Sequence, residues 1–138
     1  MNMQNSKIEK IVSWVAALIT SVILLQTLYF KFNAAPESVY IFSTLGIEPW
    51  GRIASGFCEL IASILIFIPA TRWLGAALGL GIISGAIVAH LTKLGIEVQG
   101  DGGFLFILAV IVFVCCAVTL YLEKQKLNLL YVRLFHPR

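Results

Sequence analysis

Residues 51–69 read GRIASGFCELIASILIFIP, an apolar segment with one carboxylate, Glu59, inside it. About 20 apolar residues in a helix cross the hydrocarbon core of a bilayer. An ionisable side chain within such a segment costs several kcal/mol, and by default it marks a functional site with a partner nearby. This stretch therefore predicts both a membrane-spanning helix and the place where the protein binds or acts.

Three further segments have similar length and composition: residues 11–30, 73–91 and 104–122. Backbone groups in lipid must be satisfied within their own segment, so each of these runs is expected to be a helix. Hydrophobic residues make up 59% and charged residues 12% of the chain. Four spans within 138 residues leave no room for a soluble domain. The sequence predicts a single all-α transmembrane domain, residues 1–138, built as an antiparallel four-helix bundle.

Charge in the short loops predicts the orientation. Seven Lys and Arg residues lie on the side of the two termini and three on the opposite side, which places both termini in the cytoplasm. The first segment is expected to be retained, because its apolar run exceeds that of a signal peptide and has no small-residue cleavage site. The net charge of +3 belongs to this topology and indicates no nucleic-acid partner.

The connections differ in length and composition. The first is long, and its residues 38–45 could form a short helix at the outer surface. The second, residues 69–72, is minimal and predicts a tight hairpin. The third, residues 92–103, is rich in glycine and must turn sharply. The tail, residues 123–138, has Leu127, Leu130, Tyr131 and Leu134 on one stripe, which predicts an amphipathic cytoplasmic helix; a simple cationic tail is the alternative.

A polar stripe crosses the second helix, made of Arg52, Ser55, Glu59 and Ser63 at spacings of three and four. Lys31 ends the first helix and His90 lies near the end of the third, so helical rise puts both at depths similar to that of Glu59. We expect Glu59 to face the bundle interior and to contact Lys31, His90 or Arg52.

Each of these residues also has a simpler interpretation. Lys31 could extend to the outer headgroups, His90 could be an interfacial histidine, and Glu59 could form a purely structural ion pair. Asp101, in the sequence Gly100-Asp101-Gly102-Gly103, is expected to form a turn and to cap the fourth helix, and it could also close the site as an outer lid.

No established catalytic motif is present, so an enzyme is not favoured. No metal site is expected, and two histidines give poor support for haem or copper. Cys58, Cys115 and Cys116 are interpreted as free apolar thiols. The glycines of the third helix, Gly75, Gly79, Gly81 and Gly85, favour close packing within the monomer, with a homo-oligomer interface as the alternative.

The order of these features resembles the DoxX-like family of small four-span membrane proteins, which also includes DoxD and MauE relatives. The resemblance rests on Lys31, the segment Gly56-Phe57-Cys58-Glu59-Leu60, residues 69–72, His90 and residues 100–104, and it extends from about Ile8 to Tyr121. It implies a multi-pass protein of the bacterial cytoplasmic membrane. Some family members are associated with thiosulfate:quinone oxidoreduction and others with redox maturation. This chain lacks paired cysteines suited to thiol exchange.

Three functions fit these observations. The first is a redox-associated accessory protein whose outward-facing pocket of Lys31, Glu59 and His90 binds a quinone-like or other small ligand, or relays protons. The second is a non-catalytic assembly partner of other membrane proteins, and the third is a small transporter that uses Glu59. Transport is the least favoured, because broken helices and inverted repeats are not evident.

Overall fold

The computed structural model describes residues 3–135, and the chain is all-α. Its helices are α1 (Met3–Phe32), α2 (Pro36–Thr44), α3 (Trp50–Phe67), α4 (Arg72–Ala89) and α5 (Phe104–Phe135). A π-helical turn, His90–Leu94, continues α4. The short helix expected at residues 38–45 is therefore present as α2.

Four helices are long and apolar enough to cross a membrane: Ser6–Phe32, Trp50–Phe67, Arg72–Leu94 and Phe104–Lys124. The prediction of four apolar spans in an all-α chain is confirmed. The second span ends two residues earlier than expected because Ile68 precedes Pro69. A proline disfavours helical geometry in the residue before it, and Ile68 is extended, with φ −85° and ψ 116°.

The four long helices form a closed ring of neighbours, in which α1 and α4 each pack against both α3 and α5. A shared core fills the space between them: Leu24, Ala62, Ile83, Ala109, Val112 and Cys116. On α1 the buried positions recur every three or four residues, from Ser13 through Thr20 to Leu24, and the half-buried Thr27 and Lys31 continue this seam. Polar residues at both ends of this seam define two regions, called below the Glu59 end and the Arg72 end.

The glycines of α4 divide into two pairs. A Cβ on Gly75 would lie 2.4 Å from the backbone nitrogen of Ile66, and one on Gly79 would lie 3.1 Å from Cys116 Sγ. These two glycines let α4 approach α3 and α5 within the monomer. A Cβ on Gly81 or Gly85 would meet nothing within 4 Å. Packing inside the monomer therefore explains the first pair and leaves the second unexplained.

The C-terminal tail has no separate helix as far as Phe135. Helix α5 runs without a break from Phe104 to Phe135, so the fourth span passes directly into the predicted tail. Residues 136–138 of that prediction, and part of its apolar stripe, lie outside the described residues. Whether the tail lies on lipid headgroups stays a prediction.

Candidate functional site

Glu59 lies inside the bundle with only 4% of its surface exposed. Lys31 Nζ forms an ion pair with Glu59 Oε1, and the Thr27 hydroxyl lies 3.1 Å from Glu59 Oε2. The Ser63 hydroxyl donates to the Glu59 backbone carbonyl at 2.8 Å, so this serine supports the helix rather than the carboxylate. The expected contact between Glu59 and Lys31 is present, and both oxygens of the carboxylate have a partner.

Lys31 keeps binding capacity beyond this ion pair. An ammonium group has three N–H donors, and Glu59 is its one hydrogen-bond acceptor among the described residues. The Lys31 side chain is 13% exposed, and its Nζ lies 6.0 Å from the centre of the Phe42 ring of α2. A ligand oxygen could therefore accept a hydrogen bond from Lys31 without breaking the ion pair.

Arg52 is committed to other groups and does not pair with Glu59. Its Nε lies 2.8 Å from Glu48 Oε1, one helical turn earlier, and its Nη2 lies 2.8 Å from the same oxygen. Its Nη1 donates to the backbone carbonyl of Lys31. The last carbonyls of a helix lack partners within the helix, so Arg52 caps α1 and holds Lys31 in place. Of the three partners expected as alternatives for Glu59, Lys31 is the one that pairs with it, and Arg52 pairs with Glu48 instead.

His90 is buried where α4 passes into its π-helical turn. The His90 Nδ1 atom lies 2.8 Å from the Gly95 carbonyl oxygen, and the ring meets Phe106 edge-on at 5.6 Å. A carbonyl oxygen only accepts hydrogen bonds, so Nδ1 carries a proton. When the ring is neutral, Nε2 is left to accept from a ligand. The positive φ of Gly95, 81°, ends the turn and directs its carbonyl to the ring.

Asp101 organises the loop before α5, as the sequence predicts. Its Oδ1 accepts from the backbone N–H groups of Val98 and Gly103 at 2.8 and 2.9 Å, and its Oδ2 accepts from Leu105 at 2.9 Å. Desolvation alone would raise the pKa of Asp101, but these three donors and the nearby charge of His90 together lower it.

Four of the five predicted site residues line one cavity of about 600 Å³ at the Glu59 end. They are Lys31, Glu59, His90 and Asp101, while Arg52 lies outside the lining. Most of the wall is apolar and comes from α1, α2, α4 and α5. A cavity of this size with a few convergent polar groups is typical of small-molecule sites.

The charges around the cavity restrict what it can hold. Three carboxylates, from Glu37, Glu59 and Asp101, line it together with one fixed cation, Lys31. An anionic ligand would meet this excess of negative charge, so the electrostatics favour an uncharged or cationic one. Leu24, Ile83 and Ala109 belong both to the lining and to the core, and they separate the cavity from the rest of the bundle.

A second buried ionic cluster, which was not predicted from the sequence, lies at the Arg72 end. Arg72 Nε donates to the Ile66 carbonyl at 3.0 Å and Nη1 to the Ser13 hydroxyl at 3.3 Å. The same hydroxyl donates to Glu123 Oε1 at 3.3 Å. The guanidinium also lies 4.0 Å from the centre of the Trp14 ring, a cation–π contact.

This cluster has a signal in the sequence. Arg72 was counted only as a loop cation and Glu123 only as part of the tail. Both nevertheless lie at the ends of apolar spans on one side of the bundle, and charged residues of neighbouring spans tend to pair with each other. The contributions of Glu37 and Ser38 to the cavity had no such signal, because they depend on how α2 folds back, and that of Gln26 depends on which flank of α1 borders the cavity.

Comparison with known proteins leaves the geometry as the main guide to function. No family model matches the chain, and no match was found among curated proteins or solved structures. The resemblance to the DoxX-like family stays a prediction that rests on the order of its short motifs. The function is therefore inferred from the residues and geometry of the site.

Proposed function

We propose that the protein binds a small, uncharged ligand with a polar ring, of the quinone class, in the cavity at the Glu59 end. The cavity supports this proposal because it combines an apolar wall with donors and acceptors of three kinds: Lys31, the Glu59 carboxylate and the His90 imidazole. A quinone carbonyl accepts from Lys31, and a quinol hydroxyl donates to His90 Nε2 or to Glu59. An uncharged ring is also compatible with the excess of carboxylates.

In this proposal the protein is a redox-associated accessory in a membrane, of the DoxX-like type, and the bacterial cytoplasmic membrane is its location. The cavity faces outward, and both termini are cytoplasmic. The chain contributes binding and proton-exchanging groups, and a membrane redox partner supplies or removes the electrons. Glu59 and His90 are the proton-exchanging candidates because an ionisable residue within a span is by default functional.

Binding to the purified protein in detergent tests the proposal. We expect decylubiquinone, whose ring is fully substituted and does not alkylate the free thiols, to bind with one site per chain by native mass spectrometry. Lys31→Gln removes a charged donor and should weaken binding by tenfold or more, since hydrogen bonds to charged groups contribute about 1.5–3 kcal/mol. Lys93→Gln, on the same π-helical turn as His90 but outside the cavity lining, is the matched control. Equal affinity in the wild type and Lys31→Gln would exclude the site.

A second candidate function is assembly with other membrane proteins, and Gly81 favours it. Gly81 is exposed, lies outside the cavity lining, and has open space where a Cβ would be. Small residues on a lipid-facing helix let another helix approach closely. A Gly81→Ile substitution that releases a co-purifying partner or dissociates a homo-oligomer would support this role, and unchanged stoichiometry would argue against it.

A further inference from the structure

Residues of both α1 and α5 line the cavity, and the flanks on which they lie can be assigned from contacts with the other helices. On α1, Phe32 contacts Phe57 of α3 with ring centres 5.3 Å apart, so the flank of α1 that carries Phe32 faces α3. On α5, Phe106 contacts His90, so the flank of α5 that carries Phe106 faces α4. The cavity-lining residues Gln26 and Phe30 of α1 lie on its other flank, and Phe104 and Leu108 of α5 likewise. These four residues therefore face one another across the gap between the two helices.

The polar contacts between α1 and α5 are concentrated at the opposite end. The Ser13 hydroxyl donates to Glu123 Oε1 at 3.3 Å. Among the described residues, no hydrogen bond or ring contact joins the two helices at the Glu59 end. The helices are thus tied together at the Arg72 end and flank a cavity at the other end.

Three of the four residues beside this gap are exposed as well as cavity-lining, and Leu108 is half-buried. Phe30 is 44% and Phe104 53% exposed, and Gln26 is exposed although it lies well inside the span Ser6–Phe32. A residue that both lines a cavity and is exposed belongs to the rim of an opening. An amide facing hydrocarbon alone would be costly, and at the rim Gln26 can reach the polar interior of the cavity.

We infer that the gap between α1 and α5 is a lateral slot through which the ligand enters from the bilayer, with its apolar tail remaining in the slot. This inference rests on the proposed function and specifies its ligand: a membrane-resident molecule with a polar ring and a hydrocarbon chain. The ring lies near Lys31, Glu59 and His90, and the chain passes between Phe30 and Phe104 to the lipid. The apolar rim complements such a chain. Helix α2 covers the cavity at the Glu59 end, so a molecule that partitions into lipid would enter from the side of the bundle.

Two ligands that differ in their tails test the slot. Duroquinone has a fully substituted ring without a chain, and decylubiquinone has a ring with a ten-carbon chain. Burial of one methylene contributes about 0.8 kcal/mol, or roughly fourfold in affinity. Expressed against the free ligand concentration in water, the reference state for that value, the affinity of the wild-type protein for decylubiquinone should be at least tenfold higher than for duroquinone.

Bulky substitutions in the slot should weaken binding of the hydrocarbon chain without affecting binding of the ring. Gln26→Trp and Leu108→Trp narrow the slot from its two walls, and each should lower decylubiquinone affinity to that of duroquinone while leaving duroquinone binding within twofold. Leu25→Trp and Ile107→Trp are matched controls, because these neighbouring residues are exposed but do not line the cavity. Two slot variants allow the test even if one of them fails to fold.

Each outcome has a distinct meaning. Equal affinity of the two quinones for the wild type, or unchanged decylubiquinone binding in both slot variants, would overturn the slot and leave the proposed function standing. Loss of both ligands in a folded slot variant would also overturn it, because the substitution would then have damaged the ring site. Failure of both quinones to bind the wild type would overturn the proposed function itself.

Discussion

The two ends of the bundle use buried charges differently. At the Glu59 end, the Lys31–Glu59 ion pair and His90 line a cavity of about 600 Å³. At the Arg72 end, Arg72 and Glu123 are connected through the Ser13 hydroxyl, and Arg72 lies against Trp14. No residue of this second cluster belongs to the described lining of the cavity.

The difference shows how burial alone can mislead. Glu59 and Glu123 are 4% and 8% exposed, and each accepts from a hydroxyl of α1 with a basic side chain nearby. One carboxylate borders empty space that a ligand can fill, whereas the other takes part in a network that joins α1, α4 and α5. We therefore assign the first to binding and the second to stability, and the following predictions test that division.

The largest expected effect is at the packed end. In Gly75→Ala the new Cβ would lie 2.4 Å from the Ile66 nitrogen and 2.8 Å from the Ala62 oxygen, and both are backbone atoms that cannot rotate away. We expect a loss of about 3 kcal/mol or more in the free energy of unfolding. Gly85→Ala, which meets nothing within 4 Å, should instead be neutral or stabilise the helix by up to about 1 kcal/mol. Unfolding by SDS titration measures both, and equal effects would contradict the packing described.

Arg72→Lys should have a somewhat smaller effect. Lysine keeps the charge but not the planar fork that donates to Ile66 and Ser13 and stacks on Trp14. We expect a loss of about 2 kcal/mol in the free energy of unfolding, with ligand affinity unchanged in the folded protein. Arg133→Lys, at an exposed position of α5, is the control. A variant as stable as the wild type would show that the guanidinium geometry is unimportant.

Filling the cavity should affect binding without affecting packing. Gly85 lines the cavity and has open space around it, so Gly85→Leu places a side chain where the ligand belongs. We expect decylubiquinone affinity to fall about tenfold or more, which corresponds to about 1.4 kcal/mol. Gly81→Leu is on the same helix and equally open but outside the lining, and it should bind normally. A loss of binding in both variants would point to a general disturbance of α4.

The smallest effect concerns Asp101 and pH. Its pKa is lowered from an ordinary value of 3.8 by backbone donors, so its carboxylate stabilises the folded state. That contribution is fully present above the unfolded-state pKa and is lost as the pH falls through the lower, folded-state pKa. Asp101→Ala should lower the free energy of unfolding by about 1 kcal/mol at neutral pH and flatten its decline in acid. An unchanged pH profile would contradict this role.

Much of the fold follows from the sequence because the signals are local. Apolar length predicts the four spans, Pro69 ends α3, and the glycines of residues 92–103 predict the turn before α5. The site is less predictable. Helical rise places Lys31, Glu59 and His90 at matching depths, and the Glu59–Lys31 contact follows from that.

Side-chain choices among several partners do not follow from depth alone. Arg52 lies on the stripe of Glu59 but pairs with Glu48, because that carboxylate is one turn away on the same segment. The cavity depends on α2 folding back over the bundle and on which flanks of α1 and α5 face each other. Those are tertiary arrangements that periodicity does not encode.

The most direct test compares Glu59→Gln with Glu123→Gln, two substitutions that remove a charge and keep the shape. We predict that Glu59→Gln lowers the affinity for decylubiquinol by tenfold or more, because the quinol hydroxyl loses a charged acceptor. The free energy of unfolding should fall by less than about 1 kcal/mol, since Lys31 can still reach the cavity. Glu123→Gln should bind normally in the folded protein but lose about 3 kcal/mol, because it leaves Arg72 buried beside a neutral partner. Equal losses of stability with unchanged binding in both variants would contradict the account, since Glu59 would then be as structural as Glu123.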